Sequence, residues 1–137
     1  MHQTTSLSIR RLLGAGVLAL ALGVAAAPAG TLAKGGNGVR VDGNCTGSSS
    51  SKLKVKAEDG GKLEVEWEVD QNKVGRTWNV RIKDNGQLRF SGQRVTRAPS
   101  GSFTVHRLIT NLAGTDHVVA RAKNPVSGEV CTASLSI

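Results

Sequence analysis

The chain has 137 residues, which leaves room for one domain. It carries 18 Lys and Arg against 10 Asp and Glu, a formal charge of +8, so its expected partners are anionic. Its two cysteines cannot by themselves fill the four-ligand shell of a structural zinc site, which excludes that class of small module.

In chain order, a short polar stretch ends in Arg10-Arg11, and no charged residue follows from Leu12 to Ala33. That run is rich in Leu, Ala, Val and Gly, and Ala27-Pro28-Ala29 offers small residues where a signal peptidase reads. The order is that of a secretory signal. Residues 1–29 are therefore expected to be a signal peptide. The mature product is then secreted or extracellular and keeps no integral membrane anchor. A retained anchor is the competing reading, since about 20 apolar residues can span a bilayer. Against it, Gly14, Gly16 and Gly23 dilute the run and no Lys/Arg cluster follows it. No Cys lies just beyond it to take a lipid, and the residues around Arg10-Arg11 fit ordinary Sec export better than the twin-arginine route. Loss of Arg10 and Arg11 takes the formal charge from +8 to +6.

Residues 30–51 read as a flexible N-terminal segment that holds one short strand, Val39-Arg40-Val41, and Cys45. Gly-rich sequence precedes that strand, and Thr-Gly with four serines follows Cys45. Cys45 and Cys131 are the only cysteines, and an exported chain meets oxidising conditions, so they are expected to form a disulfide. The loop it closes, roughly 87 residues, is worth at most about 4.5 kcal/mol in the chain-entropy model.

Residues 52–137 read as the folded domain. From Lys52 onward the apolar residues recur at every second position, the strand period. Leu53, Val55 and Ala57 alternate with Lys52, Lys54 and Lys56, and Leu63, Val65, Trp67 and Val69 with Lys62, Glu64, Glu66 and Glu68. Trp78, Val80 and Ile82 come next, then Leu88 and Phe90, Phe103 and Val105, Val118, Ala120 and Ala122, and finally Cys131, Ala133, Leu135 and Ile137. Turn signals separate them at Asp59-Gly60-Gly61, Asn85-Gly86, Pro99-Ser100-Gly101, Ala113-Gly114 and Asn124-Pro125. No mature segment sustains a helical period. The expectation is an all-β, seven-stranded, two-sheet sandwich closed by one disulfide.

The first hairpin can be specified to the residue. A three-residue loop at Asp59-Gly60-Gly61 sets Lys52 opposite Glu68, Lys54 opposite Glu66, Lys56 opposite Glu64 and Glu58 opposite Lys62. The inward pairs become Leu53–Trp67, Val55–Val65 and Ala57–Leu63. A slip of one residue would set apolar side chains against charged ones throughout.

The order of strands and turns resembles a fibronectin type III or immunoglobulin-like domain, with strands A, B, C, C′, E, F and G. Leu63-Glu64-Val65-Glu66-Trp67 resembles the tryptophan-bearing strand of type III modules, and Asn111-Leu112-Ala113-Gly114-Thr115-Asp116 resembles the loop before strand F. The chain has no tyrosine, so the tyrosine corner common in those folds is missing. The stretches VDQNKVGRTWNVRI, APSGSFTV and SGEVCTASLSI are similar to a group of small secreted actinobacterial proteins with one disulfide and no assigned function. That resemblance implies fold and export and carries no site residue across.

Catalytic signals are missing. No nucleophile-elbow pattern frames any serine, and the mature histidines His106 and His117 stand alone in the sequence. Glu64, Glu66 and Glu68 on one strand face suggest a cation site, but the opposing lysines offer a simpler reason for them. Trp67 and Trp78 fall at inward positions and read as core. Asn44-Cys45-Thr46 fits a glycosylation sequon only formally. The domain is therefore expected to be no enzyme and to need no cofactor or metal. What stands out is an asymmetry of charge. The outward positions of strands C, C′ and F hold Arg81, Lys83, Arg89, Arg121 and Lys123 with almost no acids. These strands neighbour one another in such a sandwich, so the five cations are expected to share a face that binds anionic cell-envelope or extracellular polymers, without specific nucleic-acid recognition. The alternative is a protein-binding or inhibitory module acting through its loops, where Val126 and Val74 are the apolar candidates, on another extracellular protein. The chain is expected to be a monomer.

Overall fold

A computed structural model describes residues 37–137; the expected signal peptide and its alternative, a membrane anchor, lie outside the described residues. Nine strands follow in order: β1 (Val39–Asp42), β2 (Asn44–Cys45), β3 (Ser50–Glu58), β4 (Lys62–Asp70), β5 (Thr77–Asp84), β6 (Gln87–Val95), β7 (Ser102–Thr110), β8 (His117–Lys123) and β9 (Val130–Ser136). They form two antiparallel sheets, β1-β3-β4-β7 and β2-β9-β8-β5-β6, packed face to face. The two-sheet sandwich is as expected. The seven expected strands are β3 to β9, and the N-terminal segment adds one edge strand to each sheet.

The β3–β4 hairpin has the expected register at every position from Ser50↔Asp70 to Glu58↔Lys62, including Lys54↔Glu66 and Val55↔Val65. Gly60 and Gly61 both take positive φ in the loop, where a side chain would be strained. In the β5–β6 hairpin, Asn85 and Gly86 likewise take positive φ, the conformation that a two-residue turn between twisted strands demands.

The alternating residues meet between the sheets. Leu53, Val55, Leu63, Val65, Trp67 and Val69 of the four-stranded sheet are fully buried. They face Trp78, Val80 and Ile82 of β5 and the smaller Val118, Ala120, Ala122 and Ala133 of β8 and β9. Bulky side chains thus meet alanines between the layers, and Trp67 and Trp78, one from each sheet, are both fully buried. Trp78 Nε1 donates to Gln71 Oε1 at 3.0 Å, which satisfies its one donor.

Gly43 is where the chain passes from one sheet to the other. β1, before it, pairs with β3. β2, after it, pairs with β9. A Cβ at Gly43 would run into Ser51 Oγ and come 2.8 Å from the Thr132 carbonyl and 3.1 Å from the Trp67 ring, so only glycine fits the crossing. Cys45 lies directly opposite Cys131 in the β2–β9 ladder, and the two are bonded with Cα atoms 4.0 Å apart. Among the described residues strand pairing thus begins at Val39 and resumes in β3 at Ser50, inside the segment read from the sequence as flexible.

Candidate functional site

The outer face of the five-stranded sheet is built by the alternation of β5 and β8. Trp78, Val80 and Ile82 turn inward, which turns Asn79, Arg81 and Lys83 outward. On β8, Val118, Ala120 and Ala122 turn inward, and His117, Arg121 and Lys123 are exposed. The two strands pair so that Arg81 stands directly opposite Arg121, Asn79 opposite Lys123 and Lys83 opposite Val119. Four of the five expected cations, Arg81, Lys83, Arg121 and Lys123, therefore share one face.

Their neighbours are neutral. Arg81 faces Ser91 across the β5–β6 ladder, and Arg121 faces Thr132 across the β8–β9 ladder. Gln93 Nε2 donates to Asn79 Oδ1 at 3.2 Å beside the cations. A shallow groove of about 410 Å³ runs over this ground, lined by Asn79, Arg81, Ser91, Gln93, Arg121 and Lys123. In strands β2, β5, β6, β8 and β9 the only carboxylate is Asp84, and it is buried.

Arg89 departs from the expected arrangement. The β5–β6 register shifts there: Ile82 pairs with Phe90 but Lys83 with Leu88, so Arg89 is the extra residue of a β-bulge. The bulge turns Leu88 out to solvent and sends the Arg89 side chain to the buried Asp84, with Nη2 3.6 Å from Oδ2. Arg89 thus serves as counter-ion to an interior carboxylate rather than as a fifth member of the basic face. Burial pushes the Asp84 carboxyl above its ordinary value, and the neighbouring Asp116 charge pushes it further, while Arg89 pulls it down. Asp116 in turn accepts from the Leu112 N–H.

Two further cations come together at the open side of the sandwich, where the edge strands β6 and β7 meet. Arg94 and Arg107 sit at positions that would otherwise face the core, and their guanidinium carbons lie 4.9 and 4.4 Å from the Phe90 ring centre. Both cations lie over the ring, an arrangement that uses its quadrupole. No pattern in the sequence signals it, because which strands form the open edge is a matter of topology.

The opposite outer face shows a different pattern. In β1, β3, β4 and β7 six acids balance six Lys and Arg, and Lys52 stands between Asp42 and Glu68. Lys56 Nζ meets Glu58 at 2.6 Å, and that bond raises the lysine and lowers the carboxylate relative to their ordinary values. Glu64 and Glu66 turn instead toward His106 on β7.

No family model matches the chain, and comparisons with curated proteins and with solved structures returned no match either. No family is identified by these comparisons, and the two-sheet antiparallel sandwich is the part of the expected resemblance that the structure carries.

Proposed function

We propose that this domain is an exported, non-enzymatic binding module that holds anionic polymers of the cell envelope or extracellular space on the outer face of its five-stranded sheet. One observation carries the proposal. Arg81 and Arg121 are direct cross-strand partners, with Lys83 and Lys123 on the same face and no acid among the strands' exposed positions. Like charges placed opposite one another in a sheet cost up to about 1 kcal/mol relative to neutral pairs. Folding gains nothing from that placement, and the other sheet avoids it along most of its length. A polyanion laid across the groove would relieve the repulsion and give the arrangement a purpose.

Two features support the wider reading. The order β3-β4-β7 against β6-β5-β8-β9 follows the A-B-E and C′-C-F-G arrangement of fibronectin type III-like domains, a frame that hosts many binding functions. The bonded cysteine pair fits an oxidising compartment.

The test is salt elution from a heparin column. Arg81, Lys83 and Arg121 are replaced together by Ser, and a control replaces Lys52, Lys54 and Lys56. The first variant should elute at markedly lower salt, and the control should elute close to the parent. Equal loss in both would mean that only net charge is sensed, and the site would be discarded. A second reading rests on the loops at one end of the sandwich. Val126 is 90% exposed and lies on a groove of about 320 Å³ with Gln71, Lys73, Gly75 and Arg76, which suits a protein partner. A Val74→Ser/Val126→Ser variant that loses capture of an extracellular protein while keeping heparin retention would favour that reading.

A further inference from the structure

On the four-stranded sheet the strand period sends Glu64 and Glu66 to the same outer face, two residues apart on β4. The β4–β7 ladder sets His106 directly opposite Glu66. His106 Nδ1 lies 3.8 Å from Glu64 Oε1 and 3.8 Å from Glu66 Oε2. One imidazole nitrogen and two carboxylate oxygens, all within 4.8 Å of one another, thus converge from two adjacent strands.

One of the lysines across the β3–β4 ladder is drawn away from this set. Lys56, whose ladder partner is Glu64, makes its contact with Glu58 instead. His106 Nδ1 is equidistant from the two carboxylates. The groove beside the cluster, about 730 Å³, is lined by Glu58, Asp59, Glu64, His106 and Leu108 together with the cations Lys62 and Arg107, so one side of the cluster opens on solvent.

We propose that Glu64, Glu66 and His106 form a surface site for a borderline divalent transition cation, with Zn²⁺ as the reference ion. One nitrogen and two oxygens suit such ions better than Ca²⁺ or Mg²⁺, which prefer all-oxygen shells. In a tetrahedral zinc shell with bonds near 2.0–2.1 Å, ligand atoms stand about 3.3 Å apart. The three donors are a little wider than that. His106 is 60% exposed and both glutamates are partly so, and rotation of these side chains closes the difference without moving the strands. Two carboxylates neutralise a divalent charge, and the fourth position faces the groove and holds water. An exposed site of three flexible ligands binds reversibly rather than as a permanent structural metal.

The probe is Zn²⁺ alone, titrated into the full-length chain and followed by imidazole NMR and by calorimetry. Zinc should shift the His106 imidazole in a saturable way, while His117, on the other sheet beside Ser136, should barely respond. His106→Ala and the double variant Glu64→Gln/Glu66→Gln should each weaken the calorimetric site by at least about tenfold, the scale on which even second-layer partners of a metal act. Glu68→Gln should leave it unchanged. The melting temperature of each variant shows that it folds. Equal response of His106 and His117 would overturn the proposal. So would a carboxylate double variant that binds zinc as the parent does.

Discussion

The two outer faces of this sandwich are made by the same device and spend their charges in opposite ways. Each sheet alternates apolar and polar residues, and each carries six Lys and Arg in its strands. The four-stranded sheet sets six acids among them, whereas the five-stranded sheet has only the buried Asp84. Core packing dictates which residues point inward and says nothing about the sign of those that point out. On the first sheet the outer charges support the fold: the native β3–β4 register sets Lys52, Lys54 and Lys56 each opposite a glutamate. On the second, register is specified by the core and by the Asn85-Gly86 turn, and the outer charges are free to serve something other than folding.

The largest expected effect concerns what ties the N-terminal segment to the basic sheet. Reduction of Cys45–Cys131, or its replacement by two alanines, removes a link between residues 86 apart in sequence. The loss of stability should approach but not exceed about 4.5 kcal/mol, seen as a fall in melting temperature. Hydrogen exchange should rise first at β2 and the end of β9, while the β3–β4 hairpin keeps its protection. Uniform loss of protection would mean that the two sheets do not differ in how they are held.

Charge reversal should have opposite signs on the two faces. Lys52→Glu places a third acid in the row with Asp42 and Glu68 and should destabilise by about 0.5–1 kcal/mol. Arg121→Glu turns the Arg81 repulsion into an attraction and should stabilise by a similar or smaller amount, about 0.2–1 kcal/mol. Chemical denaturation of both variants checks the pair. Lys54→Glu is a poorer probe than the Lys54–Glu66 pairing alone suggests, because Arg40 lies on its other side and offsets the loss. If Arg121→Glu destabilises, the basic face is held by contacts beyond charge and the contrast between the sheets fails.

How far the sequence could be read differs between the same two regions. The β3–β4 register was legible because charge and apolar pattern agree on one alignment of a local hairpin. The cysteine pair was legible because there are only two. Arg81, Lys83, Arg121 and Lys123 could be placed on a face because their strands keep strict alternation. Arg89 could not, because a bulge inserts one residue and the alternating pattern of Leu88 and Phe90 looks the same with or without it. β2 is too short for any period, and its sheet change depends on the space around Gly43. His106 reads as solitary because its partners lie about 40 residues away, in a register fixed only when β7 docks on β4.

The smallest effect is the most specific, since it concerns the single acid of the basic sheet. The Asp84 carboxyl is fully buried and held above its ordinary value of 3.8, chiefly by burial and then by the Asp116 charge. Folding therefore favours the protonated form relative to the unfolded chain. Between 3.8 and the raised value the folded state binds more protons than the unfolded one. The stabilising contribution of this group is complete below 3.8 and is lost as pH rises through the folded value. The ionised form above that range is tolerated because Arg89 stands 3.6 Å away. Asp84→Asn removes the titration. The acids of the other sheet are untouched, so they cancel when the two proteins are compared at each pH. The difference in denaturation midpoint, parent minus Asp84→Asn, should fall with rising pH from about 4 upward and then level off. Arg89→Gln removes the one cation that lowers the Asp84 value, so in that background the fall should extend to higher pH. A difference that is flat across this range, or that rises with pH, would mean that Asp84 is ionised in the folded protein as it is in the unfolded chain. The bulge would then hold Arg89 for shape rather than for charge.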